Sequence, residues 1–277
     1  TQWDIIKGVF ENKKILVVQK TGFGKSLCYQ FPATQLDGVT IVFTPLISLM
    51  RDQVRSLDNL GILAKSINSE ETIEDNEKTL QEAKLGILKL LFIAPERIEN
   101  IDFMTHLQDS RFSNKIKLIV IDEGHCISQW GHDFRPSYRR IIDVIKLIHS
   151  VPILITTATA TKFVQEDIQK QIGGGFELNM GSLVRDNFNL HVVKTKSYDE
   201  KLILLAEQVK KQKGTGIIYV GTRTDSLIIA RWLTSIDINA VYYNARLDSD
   251  TRKSIEENFM KILKNNGNGK SSSETVR

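Results

Sequence analysis

Two short stretches carry residue types that can do chemistry on phosphate. The first reads Val17-Val18-Gln19-Lys20-Thr21-Gly22-Phe23-Gly24-Lys25-Ser26. Gly22 and Gly24 let backbone N–H groups turn inward around phosphate oxygens with no Cβ in the way. A helix beginning near Lys25 adds the positive end of its dipole. Lys25 can reach a β or γ phosphate, and the Ser26 hydroxyl can ligate Mg²⁺. The general signature places glycine six positions before the lysine; here that residue is Gln19. Phe23 lacks glycine's freedom, so the loop must hold a negative φ there or accept strain. On this string alone, a glycine turn followed by a chance Lys-Ser stays open.

The second stretch supplies what such a loop needs to hold a metal. Leu118-Ile119-Val120-Ile121 reads as a buried strand, and Asp122-Glu123-Gly124-His125 follows at its C-terminal end, where α/β sheets place their ligands. Asp122 would hold Mg²⁺ directly or through water. Glu123 would polarise the water that attacks the γ phosphate. His125 is placed to sense the nucleotide from the next turn. Taken alone, the same letters also fit an acidic strand end with solvated charges. His125, Cys126 and His132 fit no closed zinc site in spacing or ligand count, so no zinc is expected.

These residues need a scaffold that brings distant strand ends together. Short runs rich in Ile, Val and Leu recur at Ile15–Val18, Val39–Phe43, Leu88–Ile93, Ile116–Ile121 and Ile153–Ile155, as in strands buried on both faces of a parallel sheet. Amphipathic stretches lie between them: Leu46–Leu60, Glu70–Lys84, Tyr138–His149 and Lys162–Ile172. The alternation predicts a doubly wound α/β domain. It pauses at Gly173-Gly174-Gly175, with 176–189 irregular or extended, and then resumes. Strands are expected at His191–Val193, Gly216–Val220 and Ala240–Tyr243, with helices over Lys201–Lys211, Asp225–Ile236 and Ser249–Ile262. That divides the chain into a first domain over 1–180, a partial second over 181–263 and a disordered tail over 264–277. A complete α/β domain of this kind has more strands than the second stretch offers.

The 277 residues are 41% hydrophobic and 25% charged, an ordinary globular balance. The net charge of +4 permits a nucleic-acid partner without demanding one. Cys28 and Cys126 are the only cysteines, too few for a disulfide framework, which favours reduced, intracellular thiols. No apolar run approaches the roughly 20 residues that cross a bilayer, so no membrane partner is expected. The start, Thr1-Gln2-Trp3-Asp4, has no initiator Met and reads as the interior of a longer protein.

Residues 122–138, D-E-G-H-C-I-S-Q-W-G-H-D-F-R-P-S-Y, closely resemble the aromatic-rich loop of RecQ-family DNA helicases. Other segments agree in order: Thr44–Val54 resembles motif Ia, Phe92–Arg97 the Ib region, Thr157–Ala160 motif III, and Gly216–Arg223 the start of motif IV. The resemblance runs from Gln2 to about Met260. It implies an α/β fold of RecA-like parallel-sheet domains with helices on both faces, the second of them incomplete. It implies ATP and Mg²⁺ as cofactors, and single-stranded and duplex-junction DNA as partners. It implies a 3′ to 5′ helicase of repair or recombination, in the nucleus of a eukaryote or the cytoplasm and nucleoid of a prokaryote.

By position, Gln2 would read the adenine edge, and Thr21 to Ser26 would cradle the phosphates. Pro45 to Ser48 and Thr159 would lie along the strand's backbone, with Arg223 adding a contact from the second domain. Gln129, Trp130, His132, Asp133, Phe134 and Arg135 would couple strand binding to hydrolysis. The family usually has Pro, Gly and Ala where Lys20, Phe23 and Gly124 stand, and Y-H-A-G-L where Tyr243–Leu247 stand. Nothing in 248–277 resembles its motifs V and VI, the latter the source of an arginine finger. A module that holds nucleotide and DNA with little turnover is therefore an alternative, and a related RNA helicase is another.

Overall fold

The computed structural model describes residues 1–99, 101–148, 150–183, 188–212 and 214–267. Contacts divide the chain into two compact units, Thr1–Phe188 and Asn189–Arg277.

The first unit is built on seven parallel strands: β1 (Lys14–Val18), β2 (Val39–Phe43), β3 (Ala64–Ile67), β4 (Leu90–Ile93), β5 (Ile116–Ile121), β6 (Ile153–Thr157) and β7 (Glu177–Met180). Their spatial order is β3-β4-β2-β5-β6-β1-β7. The helices between them are α1 (Gln2–Phe10), α2 (Leu27–Gln35), α3 (Ile47–Asp58), α4 (Ile73–Lys84), α5 (Ile101–Gln108), α6 (Ser110–Ser113), α7 (Pro136–Arg139), α8 (Ile141–Leu147) and α9 (Lys162–Ile172).

Successive side chains of a strand point to opposite faces, so continuous apolar runs feed two cores. Ile15, Val17, Val42, Leu118, Val120 and Leu154 pack with Ile5 of α1, Tyr29 of α2 and Met50 of α3. Leu16, Val18, Phe43, Ile119, Ile121 and Ile155 pack with Leu80 of α4, Val144 of α8 and Ile168 of α9. Burial on both faces explains why the strand sequences show no polar alternation. Caps set the helix starts. Thr1 and Asp4 form a capping box on α1, the Thr161 hydroxyl accepts from Val164 N on α9, and Gly173 closes α9 with φ 96°.

The expected central strands are present, and two edge strands join them. β3 (Ala-Lys-Ser-Ile) and β7 (Glu-Leu-Asn-Met) pair on one side only and are half polar, so they lack the apolar signature of the buried five. The amphipathic stretch over 138–149 is broken into α7 and α8, with Arg140 ending one and capping the next. The helix expected near Lys25 starts at Leu27 with Ser26 as its N-cap, although turn hydrogen bonds from Leu27 N, Cys28 N and Tyr29 N lead into it from Gly24 to Ser26.

The second unit contains α10 (Tyr198–Lys211), α11 (Arg223–Ser235) and α12 (Ser249–Gly267), with Ala206, Ile229, Ala230 and Leu233 buried. The three strands expected there are not formed. The segments 191–193, 216–220 and 240–243 have no ladder among the described residues. Val192 is 93% and Tyr219 90% exposed. A parallel strand is held by the neighbours it bonds to, and an apolar run without them stays in water. The tail expected over 264–277 begins as helix, since α12 runs to Gly267; residues 268–277 lie outside the described part.

Candidate functional site

Three neighbouring strands, β5, β6 and β1, end side by side, and each delivers one segment of the site from its C-terminal edge. β1 leads into the glycine loop, β5 into Asp122–His125, and β6 into Thr157–Ala160.

In the loop, Gly22 and Gly24 have φ of 86° and 84°, a region open to glycine without cost. Phe23 is not among the residues of positive φ, and its ring packs against the core under α1 and α2. The loop thus accommodates the aromatic without backbone strain. Lys25 Nζ donates to the carbonyls of Gln19 and Lys20 at 2.9 and 3.4 Å. Gln2 Nε2 donates to the Phe23 carbonyl at 2.8 Å, so Gln2 reaches the same loop from α1. A Cβ on Gly24 would lie 2.3 Å from that Nε2. Thr21 is exposed on the first turn. Ser26 makes no side-chain cap to its own helix, and its side chain hydrogen-bonds with that of Tyr29 one turn on.

Gln19 takes the position of the missing glycine by pointing away from the loop. Its side chain is buried, and its Nε2 donates to Asn179 Oδ1 of β7 at 2.8 Å. Gly181 leaves room beside it: a Cβ there would stand 2.1 Å from Gln19 Oε1, and the amide would have to shift.

Asp122 continues the sheet through its N–H to the Phe43 carbonyl. Its Oδ1 accepts from Thr156 Oγ1 at 2.5 Å and from Glu123 N at 3.1 Å. Its carbonyl accepts from Tyr138 Oη at 3.0 Å. Burial raises the Asp122 pKa above the carboxylate's usual value, with the Glu123 charge adding to it and Thr156 and Lys25 opposing. Such a carboxylate gains from a nearby cation. Glu123 adopts the left-handed conformation, φ 51° and ψ 45°. That turn aims its Oε2 at His125 Nδ1, 3.1 Å away. The His125 hydrogen bond lowers the Glu123 pKa against the opposing effect of burial, and Lys25 and His132 also lower it.

His125 is buried and joins the segments. Its Nδ1 lies 3.0 Å from Thr157 Oγ1 and 3.4 Å from Thr159 Oγ1. Its ring stacks on His132 at 4.2 Å, and Thr159 Oγ1 is also 3.5 Å from His132 Nδ1. Glu123, His125, Thr159 and His132 therefore form one contiguous polar chain from the acidic box to the aromatic-rich loop.

The remaining loop residues separate into supports and surface. Arg135 Nε and Nη2 both donate to Asp133 Oδ2, at 3.1 and 3.0 Å, and Nη1 donates to the Pro45 carbonyl at 3.0 Å. The guanidinium fork is thus engaged within the protein, and it ties the loop to the segment after β2. Pro45 is buried, whereas Ser48 is exposed on α3. Phe134 is half-buried with the Arg139 guanidinium 5.2 Å from its ring. Gln129 and Trp130 are exposed at the loop's tip. Arg223 opens α11 in the second unit and is exposed.

His125, Cys126 and Asp133 bring one potential ligand atom each within 4.8 Å of one another. Burial and the Asp133 charge push the Cys126 thiol up to about 12, and Asp133 is already paired with Arg135. Sequence reasoning missed Thr156, Tyr138 and Ser128, whose roles depend on contacts between strands and loops far apart in the chain. Thr157, Ser128 and Tyr138 stood in the quoted strings without a role.

Residues 1–167 match the family model of DEAD/DEAH box helicases. The ATP-dependent DNA helicase RecQ of Bacillus subtilis is 40% identical over 246 residues, covering 88% of this chain and 40% of that protein. The ATP-dependent DNA helicase Q-like 5 of Arabidopsis thaliana is 36% identical over 266 residues, covering 93% of this chain and 28% of that one. This chain thus spans about two fifths or less of these curated relatives. The fold is also that of the helicase MrfA solved with DNA and AMPPNP, at a TM-score of 0.74 and 18% identity over 95% of this chain and 40% of that one. It is shared too with the Mycobacterium smegmatis helicase Lhr bound to single-stranded DNA and AMP-PNP, at 0.66 and 13% over 95% of this chain and 38% of that one. Glycine loop, acidic box and Thr-Ala-Thr segment stand on adjacent strand ends, the family model covers all three, and the chain belongs to the DEAD/DEAH box helicase family.

Proposed function

We propose that the chain is the motor portion of a RecQ-type DNA helicase, which binds ATP with Mg²⁺ and uses its hydrolysis to move 3′ to 5′ along a DNA single strand in repair or recombination. The observation that carries this reading is the polar chain Glu123–His125–Thr159–His132, because it links the water-activating position to the loop that would touch DNA.

Lys25 and the loop N–H groups would hold the β and γ phosphates, and Gln2 would shift from the Phe23 carbonyl to the adenine edge. Ser26 and Asp122 suit Mg²⁺, a hard cation that takes oxygen ligands. A metal held by these two residues would supply positive charge that offsets the charge developing during phosphoryl transfer. Glu123, kept ionised by His125, would orient water and accept its proton. Thr159, Ser48 and Trp130 would meet the strand, Arg223 would add a contact from the second unit, and a change at Thr159 would reach Glu123 through His125.

Steady-state ATPase assays with matched DNA and RNA single strands at one stated salt concentration test this. The proposal predicts DNA-stimulated turnover that Glu123→Gln lowers by about 10²–10⁴. Binding of both ligands without turnover would leave a binding module, and stimulation by RNA alone would make it an RNA-dependent enzyme.

A further inference from the structure

Trp130 is 66% exposed and Phe163, on the first turn of α9, is 56% exposed. Their ring centroids are 5.3 Å apart at 79°. An edge-to-face pair at this range is a favoured arrangement, yet both rings remain largely in water, so the contact is not core packing. Two flat surfaces meeting at nearly a right angle form an inside corner, into which a planar base fits with its face on one ring and its edge against the other.

The corner is held by a relay. Trp130 N donates to Ser128 Oγ at 3.2 Å, and Ser128 Oγ donates to Asp167 Oδ2 at 2.6 Å. Ser128 is fully buried. Asp167 lies one turn beyond Phe163 on the same face of α9. Thus one hydroxyl fixes the loop that carries Trp130 to the helix that carries Phe163. The exposed cation Lys162 adjoins Phe163 at the capped start of α9, four residues or fewer from Thr159.

We propose that Phe163 is a DNA-contacting residue that completes, with Trp130, a two-ring stacking platform for an unpaired base, with Lys162 on the adjoining phosphate and Ser128–Asp167 as the positioning pair. The inference rests on the DNA-motor reading. Base–aromatic stacking is tolerant of sequence because every base has a π face, so the platform would favour unpaired bases over any particular one.

The test is binding of the 277-residue chain to oligothymidylate carrying one 2-aminopurine, read by anisotropy and by quenching of that base. Phe163→Ala should weaken binding by about 5- to 150-fold, the range that one base–aromatic stack spans, and should reduce the quench. Phe163→Leu keeps apolar volume without a π face and should behave like Ala, whereas Phe163→Tyr should restore both readouts. Asp167→Asn should reduce the quench more than it lowers affinity. Wild-type affinity and quench in the Ala or Leu variant would overturn the platform while leaving the motor intact. Failure of the wild-type chain to bind the strand at all would overturn the motor reading itself.

Discussion

Glu123 meets two requirements at once: its backbone turns left-handed, and its carboxylate meets His125. A non-glycine residue there costs roughly 1–2 kcal/mol, and such strain is found where function fixes the geometry. Glu123→Gly and Glu123→Ala both lose the carboxylate, but only Ala retains the strained φ. We predict that denaturant unfolding finds the Gly variant more stable than the Ala variant by about 1 kcal/mol. Turnover should fall by about 10²–10⁴ in Glu123→Gln, the usual worth of a general base, with nucleotide affinity retained in equilibrium binding. The pH dependence has a defined sign. The folded pKa of Glu123 lies below the ordinary glutamate value of 4.5. Its contribution to stability is therefore present above that value and lost as pH falls through the folded pKa. Stability of Glu123→Gln should decline less steeply than that of the wild type as the medium is acidified below pH 4.5. Asp122 has the opposite sign: its ionised form is penalised by burial. In metal-free buffer, Asp122→Asn should therefore melt higher than the wild type while losing Mg²⁺-dependent hydrolysis.

The strand ends set how much room each segment has. A Cβ on Gly124 would lie 2.3 Å from Ile155 Cγ2, so the alanine usual in RecQ relatives does not fit beside this β6. Gly124→Ala should cost about 1–3 kcal/mol by overpacking. Adding Ile155→Ala should cost less than the sum of the two single changes, a coupling that a double-mutant cycle measures. Gly131 is as tightly placed, with the His125 carbonyl 2.2 Å from where a Cβ would stand. The five inner strands were legible in the sequence because burial on both faces makes them uniformly apolar, and the acidic box was legible because it directly follows one of them. β3 and β7 were not, since an edge strand shares the composition of a loop. Periodicity overstated the strands of the second unit, where Ile217 and Tyr219 have strand-like character but join no ladder among the described residues. At the site, residue types were readable from motifs, while their partners were not. Arg135 reads as a coupling residue of the loop, and only the fold shows Asp133 and Pro45 engaging its guanidinium.

At the scale of the whole molecule, ligands that bind only the folded state stabilise it by mass action. A non-hydrolysable ATP analogue with Mg²⁺ at about 100 times its Kd should add about 2.7 kcal/mol. Calorimetry should register this as a rise in Tm that EDTA or Lys25→Ala removes. Strand affinity should fall with salt, with log K against log salt sloping by about −0.7 for each phosphate neutralised, and Lys162→Ala should make that slope shallower. Gln19 bears on the molecule as a mechanical object. It stands where the general motif has glycine, and its amide is bolted to Asn179 on the strand that closes the sheet. Gly181 N, just past that strand, bonds back to Val18, the residue before Gln19. The cradle is therefore clamped at its root to the sheet's last rung, and the chain leaves the first unit a few residues later. At its root, therefore, the cradle meets a hydrogen-bonded amide instead of a glycine hinge, and any play it has lies further along, at Gly22 and Gly24.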